Sequence, residues 1–278
     1  MRYNLLAAVF AVAFLCSCTV NLNNTASKTD SHTTLNSGVE VEPVIKDKNI
    51  LNLETLSHEK QGYGQGVQMD DNNRPLGALD FNEKYKKYNA KAINNEKGVI
   101  TLTFDQGYEN GYTTKILDTL KQKKVKATFF VVQDYAERNP ELVRRMIDEG
   151  HTLGNHSVTH RSMPELTEAE CKSEINGLHE YIKDNFGYEM TTFRPPMGEY
   201  SEFSLAVTKE CGYNTELWSF AYADWDTNAQ PDKNEALVKL TSSLHDGAIY
   251  LLHSVSSTNA EILPDFIDEA LNAGYKFK

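Results

Sequence analysis

The stretch that decides the fold is Thr101-Leu102-Thr103-Phe104-Asp105-Gln106-Gly107-Tyr108, preceded by Gly98-Val99-Ile100. Residues 98–104 form an apolar, β-branched run of the length of one buried strand. The run ends in a carboxylate, an amide and a glycine, so polar groups stand at the carboxyl end of a strand. In parallel α/β folds that is the end at which ligands bind and chemistry happens. A plainer reading also fits, with Asp105 capping a helix that starts near Gly111. The two readings separate on whether later strands also end in polar clusters.

Downstream the pattern alternates. Residues 111–124 carry Ile116, Leu117 and Leu120 at helical spacing, and 127–132 read as a second buried strand. Asn139-Pro140 opens a helix with the apolar face Leu142, Val143, Met146 and Ile147, stopped at Gly150. A short strand over 151–154 runs into Asn155-His156. Thr167 with Glu170 makes a capping box for a long helix to about Phe186, ended at Gly187. Strands over 191–193, 214–220 and 248–252 then alternate with helices over 201–211, 234–244 and 260–273. Repeated strand–helix units predict a parallel sheet, and this many predict an α/β barrel.

The strand ends are where chemistry-capable residues gather. His156-Ser157-Val158-Thr159-His160 places two imidazoles four apart, able to share one face of a helical turn and chelate a metal. Arg194-Pro195-Pro196-Met197-Gly198 fixes the backbone with two prolines behind an arginine that can hold a carboxylate. Ala223-Asp224-Trp225-Asp226 and Leu251-Leu252-His253-Ser254 complete the set. Singly, each has an ordinary explanation: a chance histidine pair, a rigid turn, a core tryptophan, a structural histidine. Together, at successive strand ends, they mark a site.

Length and charge bound the rest. At 278 residues the chain holds one large α/β domain or two small ones, and 40% hydrophobic residues are enough for a core. A formal charge of -11, with no basic stripe, argues against a nucleic-acid partner or an anionic membrane surface. Arg2 precedes an apolar run from Leu5 to Leu15, the length of a signal-peptide core and short for a membrane span. Leu15-Cys16-Ser17-Cys18 resembles the lipobox of bacterial lipoproteins, which implies cleavage before Cys18 and a lipid anchor on it; an ordinary secretory signal is the alternative. Either way the mature protein is exported. The expected layout is a signal segment over 1–17, a polar tether over 18–61, an ordered lead-in over 62–97 and a catalytic domain over 98–278. Cys171 and Cys211 lie in helical patterns outside any metal-type spacing, and read as single thiols with a bridge left open.

In order, T-F-D-x-G, H-S-x-x-H, R-P-P-x-G, D-W and L-x-H resemble the polysaccharide deacetylase family, carbohydrate esterases that remove acetyl groups from glycans. Thr-Phe-Asp-x-Gly-Tyr-Glu-Asn-Gly-Tyr and Tyr250-Leu251-Leu252-His253-Ser254-Val255 look most like its peptidoglycan muramic-acid (delta-lactam) branch. The fold implied is a distorted (β/α) barrel. The resemblance implies that Asp105 is the general base, His253 the general acid, Arg194 the residue orienting the base and Asp224 the partner of the catalytic histidine. His156 and His160 would be metal ligands, joined by Gln106 where most of the family has a second aspartate. Trp225 and Leu251 would form the pocket for the acetyl methyl, the Met197 N–H would face the oxyanion, and Pro196 and Tyr108 would line the substrate site.

Two departures bear on function. Gln106 offers a neutral amide, which predicts loose binding of a divalent cation (Zn, Mn or Co). Met197 stands where that branch often has a basic residue for the lactyl carboxylate. The function expected is metal-assisted N-deacetylation of a cell-wall glycan, most of all N-acetylmuramic acid of peptidoglycan. Its alternatives are an N-acetylglucosamine, chitin-oligosaccharide or acetylxylan deacetylase, and a catalytically silent glycan-binding barrel. The expected partners are peptidoglycan or a related glycan, and the membrane through the lipid anchor alone, with the chain a monomer.

Overall fold

A computed structural model describes residues 52–278. The signal segment, Cys18 and the tether as far as residue 51 lie outside the described residues. The described chain opens with β1 (Gln61–Gly62), α1 (Leu76–Tyr85) and β2 (Ala90–Lys91). The strand read from the opening stretch is β3 (Val99–Gln106), followed by α2 (Thr113–Lys123), β4 (Thr128–Val131), α3 (Gln133–Arg138) and α4 (Pro140–Asp148). Then come β5 (Thr152–Asn155), α5 (Glu168–Phe186), β6 (Thr192–Phe193), β7 (Glu199–Tyr200), α6 (Glu202–Glu210) and β8 (Asn214–Glu216). The chain closes with α7 (Lys233–Ser242), β9 (Ile249–His253), α8 (Ser257–Asn272) and β10 (Lys276–Phe277).

The main sheet runs β10-β3-β4-β5-β6-β8-β2, with β9 also on β3, and every pairing in it is parallel. β3 is its axis: β10 pairs Val99 and Ile100, while β9 pairs Thr101 to Asp105 along the same edge. The sheet curls until its far side returns to β9, giving the expected distorted (β/α) barrel. Closure explains one departure from the sequence reading. The strand expected over 214–220 ends at Glu216, and the chain then leaves β6 for β9. Ser219 and Phe220 donate to the Ile249 carbonyl at 2.9 and 3.1 Å, and Leu251 donates to the Phe220 carbonyl at 2.8 Å. A segment that changes partner in mid-course cannot keep one ladder, and the carbonyls it frees are used in the site.

Strand alternation sorts β3 into two faces. Ile100, Leu102 and Phe104 point outward into the layer under α2, where Phe104 stacks on Phe129 at 5.2 Å and meets Ile116, Leu117 and Leu120. Burying each large apolar side chain contributes about 1.5–3 kcal/mol. Thr103 and Asp105 point inward. The capping box of α5 is present, with Glu170 N–H on Thr167 Oγ1 at 3.3 Å and Thr167 N–H on Glu170 Oε2 at 2.9 Å, and Gly187 ends the helix at φ 67. At α2 the capping carboxylate is Glu109, which accepts from Gly111 N–H at 2.6 Å and Thr113 Oγ1 at 2.5 Å. Asp105 is thereby free of that duty.

The lead-in is ordered upstream of residue 62. Leu53 and Leu56 pack on the domain, and His58 stacks on Phe203 at 3.9 Å. Its helix α1 went unread in the sequence, as did the short α3 and the two-residue strands β2 and β10. α1 buries Ala78, Phe81 and Tyr85 against Tyr88, Tyr200 and Leu217 in a second core. Cys171 is buried and Cys211 half-buried, both as free thiols.

Candidate active site

The carboxyl ends of β3, β5, β6, β8 and β9 open into one groove of about 1000 Å³. Its lining includes Asp105, Tyr108, His156, His160, Met197, Trp225, Leu251 and His253, so most of the side chains picked from separate strand ends meet here. Tyr108, Met197 and Trp225 stand at 52%, 55% and 60% exposure, an apolar rim on a polar floor. Leu251 lies buried beneath it. Met197 holds φ 59 between Pro196 and Gly198. Gly198 is required by packing: a Cβ there would come within 2.7 Å of the Trp218 ring.

Under the floor, Arg194 is fully enclosed. Its Nη1 donates to Asp105 Oδ1 and Thr103 Oγ1, both at 2.8 Å, its Nε to the Glu216 carbonyl at 3.0 Å and its Nη2 to the Leu217 carbonyl at 3.1 Å. The guanidinium lies over the Phe130 ring at 4.1 Å. Gly154 makes room for that ring, since a Cβ at this position would approach it to 2.5 Å. Burial alone would raise the Asp105 pKa, but the charge and hydrogen bond of Arg194, with His253 beyond, outweigh it and hold the carboxyl below its usual range. Asp105 is an oriented carboxylate that favours its ionised form.

Across the groove His253 Nδ1 meets Asp224 Oδ1 at 2.7 Å, and its backbone N–H donates to Asp224 Oδ2 at 2.8 Å. Burial would lower the imidazole pKa; the hydrogen bond and charge of Asp224, with Asp105 beyond, raise it above its usual value. The Asp224 contact thus favours the imidazolium form of His253, with a proton on Nδ1 toward Asp224 and Nε2 as the other titrating nitrogen.

His156 and His160 meet by a different route from the one expected. They lie in a loop rather than on a helical turn, with Ser157 at φ 73 and His160 at φ 58. Four residues of open loop reach as far as one helical turn, and Glu174 of α5 pins them: its carboxylate accepts from Thr159 N–H at 2.8 Å and Thr159 Oγ1 at 2.5 Å. The two Nε2 atoms stand 3.2 Å apart, and His156 Nε2 is 3.5 Å from Asp105 Oδ2. His156 Nδ1 sits 2.7 Å from the Arg194 carbonyl, which only accepts, so its proton is on Nδ1 and Nε2 presents a lone pair. Burial lowers the pKa of both rings, that of His156 to about 4, so both are neutral at pH 7.

The donor chemistry fits a divalent cation. Two ligands about 2.0–2.1 Å from one tetrahedral ion stand about 3.3 Å from each other, close to the separation of the two nitrogens. Gln106 is fully buried and does not line the groove. Its Nε2 faces Ser254 Oγ at 2.5 Å, and its Oε1 has no hydrogen-bond partner. Among the described residues no group of three or more His, Cys, Asp or Glu side chains converges on a metal position. The site is thus a two-imidazole site with the Asp105 carboxylate beside it.

Some residues of the site gave no signal in the sequence. Thr103 and Glu174 look like ordinary strand and helix residues, yet one buttresses Arg194 and the other fixes the histidine loop. Trp218 lines the groove and is propped from the lead-in by Gln65 Oε1 at 3.0 Å on its Nε1.

A family model for polysaccharide deacetylases matches residues 92–215, and the chain belongs to the polysaccharide deacetylase family. It is 42% identical over 216 residues to the peptidoglycan-N-acetylmuramic acid deacetylase PdaA of Bacillus subtilis, an alignment covering 77% of this chain and 82% of that protein. The solved structure of B. subtilis PdaA, described as a family 4 carbohydrate esterase, superposes with TM-score 0.76 at 39% identity, covering 80% of this chain and 96% of that one. The peptidoglycan-N-acetylglucosamine deacetylase PgdA of Listeria monocytogenes is 35% identical over 189 residues, 67% of this chain and 38% of that protein.

Proposed function

We propose that this protein is a metal-assisted hydrolase that removes the N-acetyl group from a cell-wall glycan, with N-acetylmuramic acid of peptidoglycan as its sugar. The observation that carries the reading is the pair of oppositely tuned groups facing one groove: Asp105 held ionised by Arg194, and His253 held protonated by Asp224. An amide needs an activated water, a polarised carbonyl and a proton for its poor leaving group. Asp105 takes the proton of the attacking water, and the Arg194 hydrogen bond keeps its other oxygen occupied and its orientation fixed. The Met197 N–H, on a residue that lines the groove, stabilises the developing oxyanion. His253 delivers its proton to the departing amine, and Asp224 stabilises the imidazolium before transfer.

His156 and His160 would hold a divalent cation (Zn, Mn or Co), which would supply Lewis-acid polarisation of the acetyl carbonyl and the water; Gln106, outside the groove lining, would add little to its binding. Leu251 and Trp225 enclose the acetyl methyl, while Tyr108 and Pro196 border the sugar. Similarity to a muramic-acid deacetylase over four-fifths of that protein supports the choice of sugar. N-acetylglucosamine is the second reading, favoured by Met197, which leaves the rim with no cation for a lactyl carboxylate. A signal segment over 1–17, a lipid on Cys18 and a polar tether would hold the monomeric domain at the membrane, facing the wall. Acetate release from peptidoglycan, abolished by Asp105→Asn and by His253→Ala, is the expected result; activity persisting in both variants would overturn the role assignments.

A further inference from the structure

Two side chains outside the catalytic set tie the amino end of α8 to the groove. Asn259 is 1% exposed. Its Nδ2 donates to Asp224 Oδ2 at 2.5 Å and to the His253 carbonyl at 3.3 Å. Both partners are acceptors, so the amide orientation is fixed: a flipped Asn259 would turn its oxygen onto a carboxylate and a carbonyl. Its Oδ1 therefore faces the Tyr222 hydroxyl, which donates to it. Asp224 has no exposed surface and accepts from three donors: His253 Nδ1, His253 N–H and Asn259 Nδ2. Of these Asn259 alone comes from another element, so it alone stops the carboxylate from turning with the histidine.

Gln230 makes the second tie. Its Nε2 donates to the Asp224 carbonyl at 3.0 Å and the Asp226 carbonyl at 2.8 Å, bracketing Trp225. Its Oε1 accepts from Ser256 Oγ at 2.6 Å and Thr258 N–H at 3.4 Å, at the start of α8. The segment it fastens carries Tyr222, Trp225, Asp226, Thr227 and Asn228 of the groove lining.

We propose that the amino end of α8 is a two-armed clamp in which Asn259 positions the Asp224–His253 acid and Gln230 positions the groove wall that grips the sugar. The clamp rests on the deacetylase reading above and extends it to two positioning residues that touch no substrate atom. The arms act on different quantities. A misaimed acid costs the transition state alone and lowers kcat, whereas a loosened wall costs substrate and transition state alike and raises KM.

The experiment measures kcat and KM for acetate release by the full chain, with unfolding temperatures as a control for folding. Asn259→Ala is expected to lower kcat about tenfold or more with KM within about twofold, and Gln230→Ala to raise KM about fivefold with kcat nearly unchanged. Asn259→Asp, which keeps the shape but places a second carboxylate on Asp224, falls below Asn259→Ala, while Asn259→Ser recovers part of the rate. Wild-type turnover reports on the deacetylase reading; the split between the variants reports on the clamp. A reading without turnover is the downfield proton resonance of His253 Nδ1–H, retained in Gln230→Ala and lost or shifted in Asn259→Ala. Equal losses in kcat and KM from both arms, or an unmoved resonance in Asn259→Ala, would overturn the proposal.

Discussion

Replacing Arg194 by methionine keeps an unbranched apolar stem but removes the guanidinium, with its stack on Phe130 and every polar function. Asp105, 8% exposed, then loses its hydrogen-bonded counter-charge at 2.8 Å, and the Glu216 and Leu217 carbonyls lose their donors. Breaking one side of a buried ion pair costs about 3–5 kcal/mol, and the orphaned carbonyls push the loss toward the upper figure. Against a total stability of about 5–15 kcal/mol the variant remains folded but weakened.

The pH dependence carries the sharper test. In the wild type the depressed Asp105 pKa contributes stability that is present above the unfolded value and lost as pH falls through the folded one. In the variant burial is opposed only by the more distant His253, and with the guanidinium gone the folded pKa rises above the unfolded value. Between those two values the folded variant holds a proton that the unfolded chain does not. The variant therefore gains stability as pH falls, by about 1.4 kcal/mol per unit, while the Asp105 contribution in the wild type stays flat. Urea unfolding followed by circular dichroism at pH 7 and pH 4.5 reads both curves. The gap should be largest at pH 7 and narrow at pH 4.5. A gap below about 1 kcal/mol, or one independent of pH, would refute the buried-pair argument.

Other consequences are more local. Asp224→Asn removes the hydrogen-bonded charge that raises the His253 pKa, so burial prevails and the alkaline fall of kcat moves to lower pH, with about a tenfold loss at pH 7.5; an unshifted limb in a kcat–pH profile contradicts the acid assignment. Glu174→Ala frees Thr159 and with it the histidine loop, weakening divalent-cation affinity about 10–100-fold by titration calorimetry; unchanged affinity means that the loop holds its shape without Glu174.

How much was legible in the sequence depended on how local each signal was. The strand ending at Asp105, the capping box at Thr167 and the stop at Gly187 are written in contiguous residues, and they fell where expected. Asp105, Arg194, His156, His160, Asp224 and His253 were found because each ends or follows a strand, and parallel topology brings those ends together. The short helix α3, α1 of the lead-in and the two-residue strands were missed because their stability comes from packing on distant residues, as when Phe81 and Tyr85 bury against Tyr200. The partner change after Glu216 was likewise invisible, since barrel closure decides it. The histidine spacing picked out two side chains that do meet, but by another local route: a helix turn was expected, and a loop pinned from α5 brings them together. Buttressing by Thr103 and Glu174 had no pattern to read.

The central claim is that the two imidazoles, with Asp105 and His253, still support metal-assisted deacetylation although Gln106 replaces an acid. Its most direct test is acetate release from purified peptidoglycan by the full chain, first with chelator and then with added Mn²⁺ or Zn²⁺, the acetyl loss located by mass spectrometry. The account predicts release that chelator suppresses and metal restores, with the loss on muramic acid. No release from peptidoglycan, chitin oligomers or acetylxylan under any metal would contradict it and leave a glycan-binding barrel without chemistry.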